Sequence, residues 1–145
     1  ELARAIMSAK RKKQPIETTS QLREIVEQVV LRTKPKNPKE AVKKTCQRVF
    51  QALRIDVNSE FEVLDSFLEA LPHILKPGGK AAILTFHSGE DRMVKKSFQY
   101  YAREGIYSDI AKDVIRPSAK ECASNPRARS TKFRWAVRSD VQKYE

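Results

Sequence analysis

Glycine is scarce in this chain, with only Gly78, Gly79, Gly89 and Gly105 among 145 residues, and that scarcity excludes one kind of site. A nucleotide-like cofactor is held by a strand, a glycine-rich turn and a helix in that order, so that backbone approaches the ligand closely. Gly78-Gly79 stands in the reverse order, after a helical pattern and before a strand-like one, and reads as a helix stop. No cofactor-binding residue is therefore expected here. Long apolar runs are also missing. None approaches the roughly 18 residues of a membrane-spanning helix, and no secretory signal with an apolar centre opens the chain. Cysteine and histidine amount to Cys46, Cys122, His73 and His87, in no paired spacing that binds metal. No metal site is expected, and two free thiols fit a reducing compartment. The chain opens on Glu1 inside an apparent helix and is expected to be a piece of a longer protein.

What is abundant is positive charge. The formal net charge is +11, and an excess of that sign concentrates polyanions and speeds their encounter. Solubility alone gives the same number, so its distribution matters. Lys10-Arg11-Lys12-Lys13 forms one cluster, Lys34 to Lys44 a second and Arg127 to Arg134 a third.

The first half of the chain has helical periodicity. Leu2, Ile6 and Ala9 share a face that ends in the first basic cluster before Pro15. Thr18 with Gln21 caps a second helix, in which Leu22, Ile25, Val26, Val29 and Val30 recur at helical spacing. Pro35 and Pro38 bracket a basic linker. A third helix carries Val42, Cys46, Val49, Phe50 and Leu53 on one side, and Asn58-Ser59 interrupts it. Ser59 with Glu62 opens a fourth, whose apolar positions are Phe61, Leu64, Leu68, Leu71 and Leu75.

The stretch Pro77 to Lys96 is organised differently. A Pro-Gly-Gly turn precedes the apolar run Ala81 to Phe86, predicted as a strand, and His87-Ser88 stands where that strand must end. Ser88 followed by Asp91 resembles a capping box, with Met93, Val94, Phe98 and Tyr101 at helical spacing behind it. In open α/β sheets strand ends face the ligand crevice, which makes His87 and Ser88 candidate site residues; equally, they shape the turn and cap the helix. Ile110 to Ile115 is predicted as a polar, edge-like second strand. Pro117 to Ala123 suits one helical turn. In Thr131 to Arg138, Phe133, Trp135 and Val137 alternate with Lys132, Arg134 and Arg138, the pattern of a half-exposed strand.

Four ordered segments carry a family resemblance. Gly78-Gly79-Lys80, Ile83 to Ser88, Glu90-Asp91-Arg92 and Val94-Lys95 resemble the PGGR…SFHSLEDRIVK segment of the MraW/RsmH family. Pro15 to Thr19 with Leu22 and Glu24-Ile25-Val26 resembles its PI.TT.ELAEIV helix start. Phe50 to Ile55 with Val57-Asn58 resembles FQALRI.VN, and Asn125 to Ser130 with Lys132 and Arg134 resembles NPR.RSAKLR. Members of that family use S-adenosylmethionine to methylate the N4 amine of a cytosine in the decoding region of small-subunit ribosomal RNA. The segments correspond to the C-terminal part of those proteins.

The resemblance implies an α/β fold class: the C-terminal half of a Rossmann-like methyltransferase sheet, three strands with the last one antiparallel in the middle, plus a helical inserted domain. Residues 1–56 would be the inserted domain, incomplete at its N-terminus, and residues 57–145 the α/β part. S-adenosylmethionine would be held mostly outside this chain, by a glycine-rich loop and an acidic ribose ligand in the family's N-terminal half. The partner implied is small-subunit ribosomal RNA or the immature small subunit, in a bacterial cytoplasm or in the stroma or matrix of an organelle.

The reaction sets its own demands. The cytosine amine is a weak nucleophile that must be aligned with the methyl donor and offered a proton acceptor, on a base taken out of its stack. Asn58, His87 and Ser88 are the polar candidates and Phe86 the aromatic one, although Asn58 also reads as a helix cap and Phe86 as core. Arg54 and Arg92 belong to matched motifs, with buried pairing to Glu90, Asp91 or Glu60 as the plainer reading. Arg127, Arg129 and Lys132 are the phosphate-contact candidates, and Arg54 joins them as a candidate RNA contact. Two departures stand out: Gly89 replaces a Leu typical of the family, which should loosen the helix start, and Lys44 to Val49 keeps only Arg48 of HPATRT. A non-catalytic RNA-binding or ribosome-assembly module lacking the cofactor half is the alternative. A helix-turn-helix DNA binder in residues 1–55 fits less well, because the proline-bearing linker is long.

Overall fold

The computed structural model of the chain describes residues 1–12 and 14–140. Lys13 of the first basic cluster lies outside the described residues. Two compact units divide the chain, one of residues Glu1–Asn58 and one beginning at Ser59.

The first unit is helical, built of α1 (Leu2–Arg11), α2 (Thr19–Arg32) and α3 (Pro38–Val57). The expected cap of α2 forms as a full capping box: the Gln21 amide donates to Thr18 Oγ1 at 3.2 Å, and Gln21 Oε1 accepts from the Thr18 amide at 3.0 Å. Proline at the first position of α3 needs no partner for its missing N–H and presets the backbone. Val26, Val30 and Val42 form the buried centre, with Leu2, Ala41, Cys46 and Val49 packed around it. Leu53, expected on the same face, is exposed.

The second unit contains α4 (Glu60–Ile74), β1 (Lys80–Thr85), α5 (Ser88–Arg103), β2 (Tyr107–Ile110), α6 (Ala119–Ser124), a 3-10 turn (Pro126–Ser130) and β3 (Lys132–Arg138). Its sheet has the order β1-β3-β2, both outer strands antiparallel to β3, so β1 and β2 run parallel and α5 connects them. The middle position of β3 agrees with the expected arrangement. Ser59 does not cap α4: its backbone is left-handed (φ 49°) and its hydroxyl makes no bond to the helix. Gly78-Gly79 links two elements rather than stopping one. The Gly78 amide donates to Arg138 O, the Arg138 amide donates to Gly79 O, and a Cβ on Gly79 would lie 2.7 Å from Lys76 O.

The second strand lies earlier than expected. Ile106 and Tyr107, each 2% exposed, are the apolar residues that anchor it, so pairing runs over Tyr107–Ile110. The charged Lys112-Asp113 bends away, and the chain returns for a single bridge between Ile115 and Phe133. Leu68, Leu71, Ala81, Val94, Phe98, Tyr107 and Ala136 form the core beneath α4 and α5.

The alternation in β3 is inverted relative to the expected one. Arg134, Ala136 and Arg138 are buried, whereas Phe133, Trp135 and Val137 are only half-buried. Ala136, fully buried opposite Ala81, fixes the parity: the face where helix meets sheet most closely takes the smallest side chains. The two arginines on that face need partners, and each has them. Arg138 donates to Pro72 O, Ile106 O and Ser139 Oγ. Arg134 pairs with Asp91, as described below.

Candidate active-site turn

At the end of β1 the chain bends through Phe86 and His87 into α5. Phe86 is 58% exposed, so it is not core and its ring is available at the turn. His87, not Ser88, caps α5. Its backbone is extended (φ −139°, ψ 164°), and its ring Nδ1 accepts from the Gly89 amide at 3.2 Å and the Glu90 amide at 3.4 Å. Ser88 is already the first helical residue, one place too late for its hydroxyl to reach those amides, and is exposed.

Glu90 completes the turn. One carboxylate oxygen accepts from the Phe86 amide at 3.1 Å, and the other lies 3.3 Å from His87 Nε2. Phe61 of α4 meets the imidazole edge-on, with ring centroids 5.7 Å apart. Gly89 makes room for this stack. A Cβ there would stand 3.0 Å from Phe61 Cζ and 3.2 Å from His87 Cε1 and Nδ1. The helix start is therefore packed by two rings where a loosened one was expected.

The cap also assigns the tautomer. Since Nδ1 accepts, a neutral ring carries its hydrogen on Nε2, which makes that atom a donor. Glu60, His87 and Glu90 offer ligand atoms within 4.8 Å of one another, the geometry of a cation site. A protonated Nε2 has no lone pair for a cation, however, so the trio acts as an imidazole donor flanked by carboxylates. Thr85 Oγ1 is buried without a hydrogen-bond partner, and the equally buried His87 Nε2 has the Glu90 carboxylate at 3.3 Å but outside hydrogen-bond geometry.

Directly after the cap, Asp91 accepts from Arg134 through both carboxylate oxygens, Nε to Oδ1 at 2.8 Å and Nη2 to Oδ2 at 3.2 Å. The Arg134 hydrogen bonds hold the Asp91 carboxyl below its usual range, against the opposing effect of burial. This pair ties the first turn of α5 to the central strand. Sequence reasoning missed it, assigning the buried pairing to Arg54 and Arg92, both of which are exposed. The signal was available in Ala136: a strand residue that must be inward places Arg134 and Arg138 inward with it.

Asn125 Oδ1 accepts from the Arg127 amide at 3.2 Å and starts the 3-10 turn, while buried Ala128 fastens it. Arg127 and Arg129 flank that anchor and are exposed. Lys132 is partly committed, its Nζ donating to Ser130 O at 3.1 Å. Asn58 is the C-terminal cap of α3 and Arg54 an exposed residue of its last turn. Both belong to the first unit, whereas His87, Ser88, Phe86 and Glu90 share one turn of the second. The first turn of α5, already filled by the His87 ring, offers no cradle for a nucleotide-like cofactor.

Comparison with known proteins agrees with these motifs. The chain is 63% identical over 140 residues to ribosomal RNA small subunit methyltransferase H 1 of Agathobacter rectalis, covering 97% of this chain and 40% of that protein. It is 58% identical over 139 residues to the protein of the same name from Lachnoclostridium phytofermentans, covering 96% and 38%. Against ribosomal RNA small subunit methyltransferase H 2 of Alkaliphilus metalliredigens the identity is 54%, covering 95% and 40%. The chain thus spans about two-fifths of the length of these relatives. The profile of the MraW methylase family matches residues 1–139, nearly the whole sequence, and the chain belongs to that family.

Proposed function

We propose that this chain is the substrate-side part of an S-adenosylmethionine-dependent methyltransferase acting on the N4 amine of a cytosine in small-subunit ribosomal RNA, in a bacterial cytoplasm. The observation that carries this is the His87 Nε2 donor set 3.3 Å from the Glu90 carboxylate at a turn that also exposes Phe86, in a chain whose relatives are named as small-subunit RNA methyltransferases. In this reading α1 to α3 form an inserted domain, and β1, β3 and β2 are the end of a Rossmann-like sheet.

S-adenosylmethionine supplies an electrophilic methyl group, and its site belongs mostly to the three-fifths or so of the relatives that this chain does not span. The residues here act on the base. Cytosine presents an amine donor and ring acceptors on one edge. His87 Nε2–H donates to an acceptor of that edge and orients it, so it does not take the amine proton; the Glu90 carboxylate beside it is the acceptor for that proton. Phe86 offers an apolar face for an unstacked base. The Ser88 hydroxyl is a further polar contact at the turn, Asn58 of the first unit is a polar candidate of its own, and Arg127, Arg129, Lys132 and Arg54 bind phosphate. The test is incubation of small-subunit RNA with the full-length protein and methyl donor, followed by mass spectrometry of the nucleosides. N4-methylcytidine is expected. RNA that binds and stays unmethylated would favour a non-catalytic RNA-binding module instead.

A further inference from the structure

The basic cluster Lys34 to Lys44 has no part in the turn described above. Residues 1–58 carry 14 Lys and Arg against 6 Asp and Glu, a net +8 of the chain's +11. Within this unit a groove of about 760 Å³ runs between α2 and α3. Its floor is apolar, made of Leu31, Val42, Cys46 and Phe50, and its rim carries Arg23, Lys39 and Lys43 against the single carboxylate of Glu27. Lys39 and Lys43 stand one helical turn apart and project from the same side of α3. Their neighbour Glu40 is paired with Lys44 at 2.7 Å and exerts only a through-space pull on Lys43, so three rim cations face the one Glu27 carboxylate and the rim is net positive. The larger groove between α1 and α2, about 1040 Å³, has mixed walls in which Glu17 and Glu24 offset Arg4 and Arg32. It has no preference of sign.

We propose that the α2–α3 groove seats a single-stranded segment of RNA, with one base on the apolar floor against Phe50 and the flanking phosphates on Arg23, Lys39 and Lys43; this rests on the reading that RNA is the substrate. An unstacked nucleotide combines a flat apolar face with an anionic backbone, and the groove combines an apolar floor with a cationic edge. Its volume falls in the ~300–1,000 Å³ range of small-molecule sites. The groove shares no residue with the Arg127 to Lys132 loop.

The test uses the full-length protein and a short single-stranded RNA of mixed sequence. Alkylation of Cys46 on the groove floor, read by mass spectrometry of its peptide, should slow when the RNA saturates the protein. Lys39→Gln with Lys43→Gln, both exposed and expected to leave the melting temperature unchanged, should lower the slope of log affinity against log salt by about 1.4. Phe50→Leu, which keeps apolar volume, should weaken binding about five-fold or more. Undiminished Cys46 labelling with RNA bound, together with an unchanged salt slope, would overturn the proposal. So would protection by an acidic amphipathic peptide and not by RNA, which would make the groove a protein-docking site. Methylation of small-subunit RNA by the same preparation is scored separately. If it persists while the groove experiments fail, the groove assignment alone falls.

Discussion

The imidazole of His87 accepts from the Gly89 and Glu90 amides, so its removal is felt first as a lost cap. His87→Ala should cost about 1 kcal/mol, and asparagine, itself a good cap, much less. In a domain of this size that difference is about 4–8 °C in melting temperature. Ser88→Ala, which removes no cap, should leave the melting temperature unchanged, and a fall equal to that of His87→Ala would return the cap to Ser88. Tyr107 gives an independent check on the core. Its hydroxyl is buried without a partner, and burial pushes it up to about 12 from an ordinary 10.0. A raised value means that the stabilisation is complete below pH 10 and is lost as pH climbs toward 12. Tyr107→Phe keeps the edge-on contacts with Phe98 and Tyr101 and should be neutral or more stable by about 1 kcal/mol, with that alkaline loss removed. Urea denaturation at pH 8 and above pH 10 reads both effects; a large loss of stability in Tyr107→Phe would mean that the hydroxyl is bonded.

The element that holds the turn in place is the first turn of α5, tied to β3 by Asp91 and Arg134. Asp91→Asn leaves the buried Arg134 guanidinium without its carboxylate and should cost about 3 kcal/mol, while Arg134→Ala should cost less, because Asp91 is only part-buried and Lys132 and Arg116 also act on it. An apolar pair, Asp91→Leu with Arg134→Met, should recover most of the loss. The Asp91 carboxyl is held below its ordinary 3.8, so its stabilisation is present above that value and is lost as pH falls through the folded-state value. Denaturant titrations from pH 6 to pH 3 should show this acid loss in the parent and not in Asp91→Asn; equal acid sensitivity would place the relevant carboxylate elsewhere. At this scale the sequence was legible where one force dominated. The α2 capping box and the middle position of β3 are as expected because capping chemistry at Thr18 and the family motif each point one way. The cap of α5 was misread because Ser88 is a common cap, while a histidine ring serves only when the backbone places Nδ1 over the helix end. The inward face of β3 was misread because alternation has two phases, and apolar Phe133, Trp135 and Val137 outweighed the small Ala136 that in fact selects the phase.

For the molecule as a whole, charge and chemistry are divided. The helical unit carries most of the net positive charge, and the α/β unit carries the His87 turn and the exposed Arg127 and Arg129. Arg127→Ala with Arg129→Ala should weaken RNA binding uniformly across sequences and flatten its salt dependence without lowering the melting temperature, because phosphate contacts carry little sequence information. An equal loss of thermal stability would return both residues to a structural role. The position of the turn was legible from the strand-to-helix crossing, but its side-chain arrangement was not. Glu90, the Nε2 donor and the ring stack around Gly89 arise from side-chain geometry that spacing does not encode. The central claim is that the His87 ring acts on substrate beyond its structural duty. Single-turnover methylation of small-subunit RNA by full-length His87→Asn, beside a thermal melt of the same preparation, tests it most directly. The rate should fall about ten-fold or more, the equivalent of roughly 1.4 kcal/mol of transition-state positioning, with the melting temperature kept within about 2 °C. A folded His87→Asn protein that methylates at the parent rate would contradict the account.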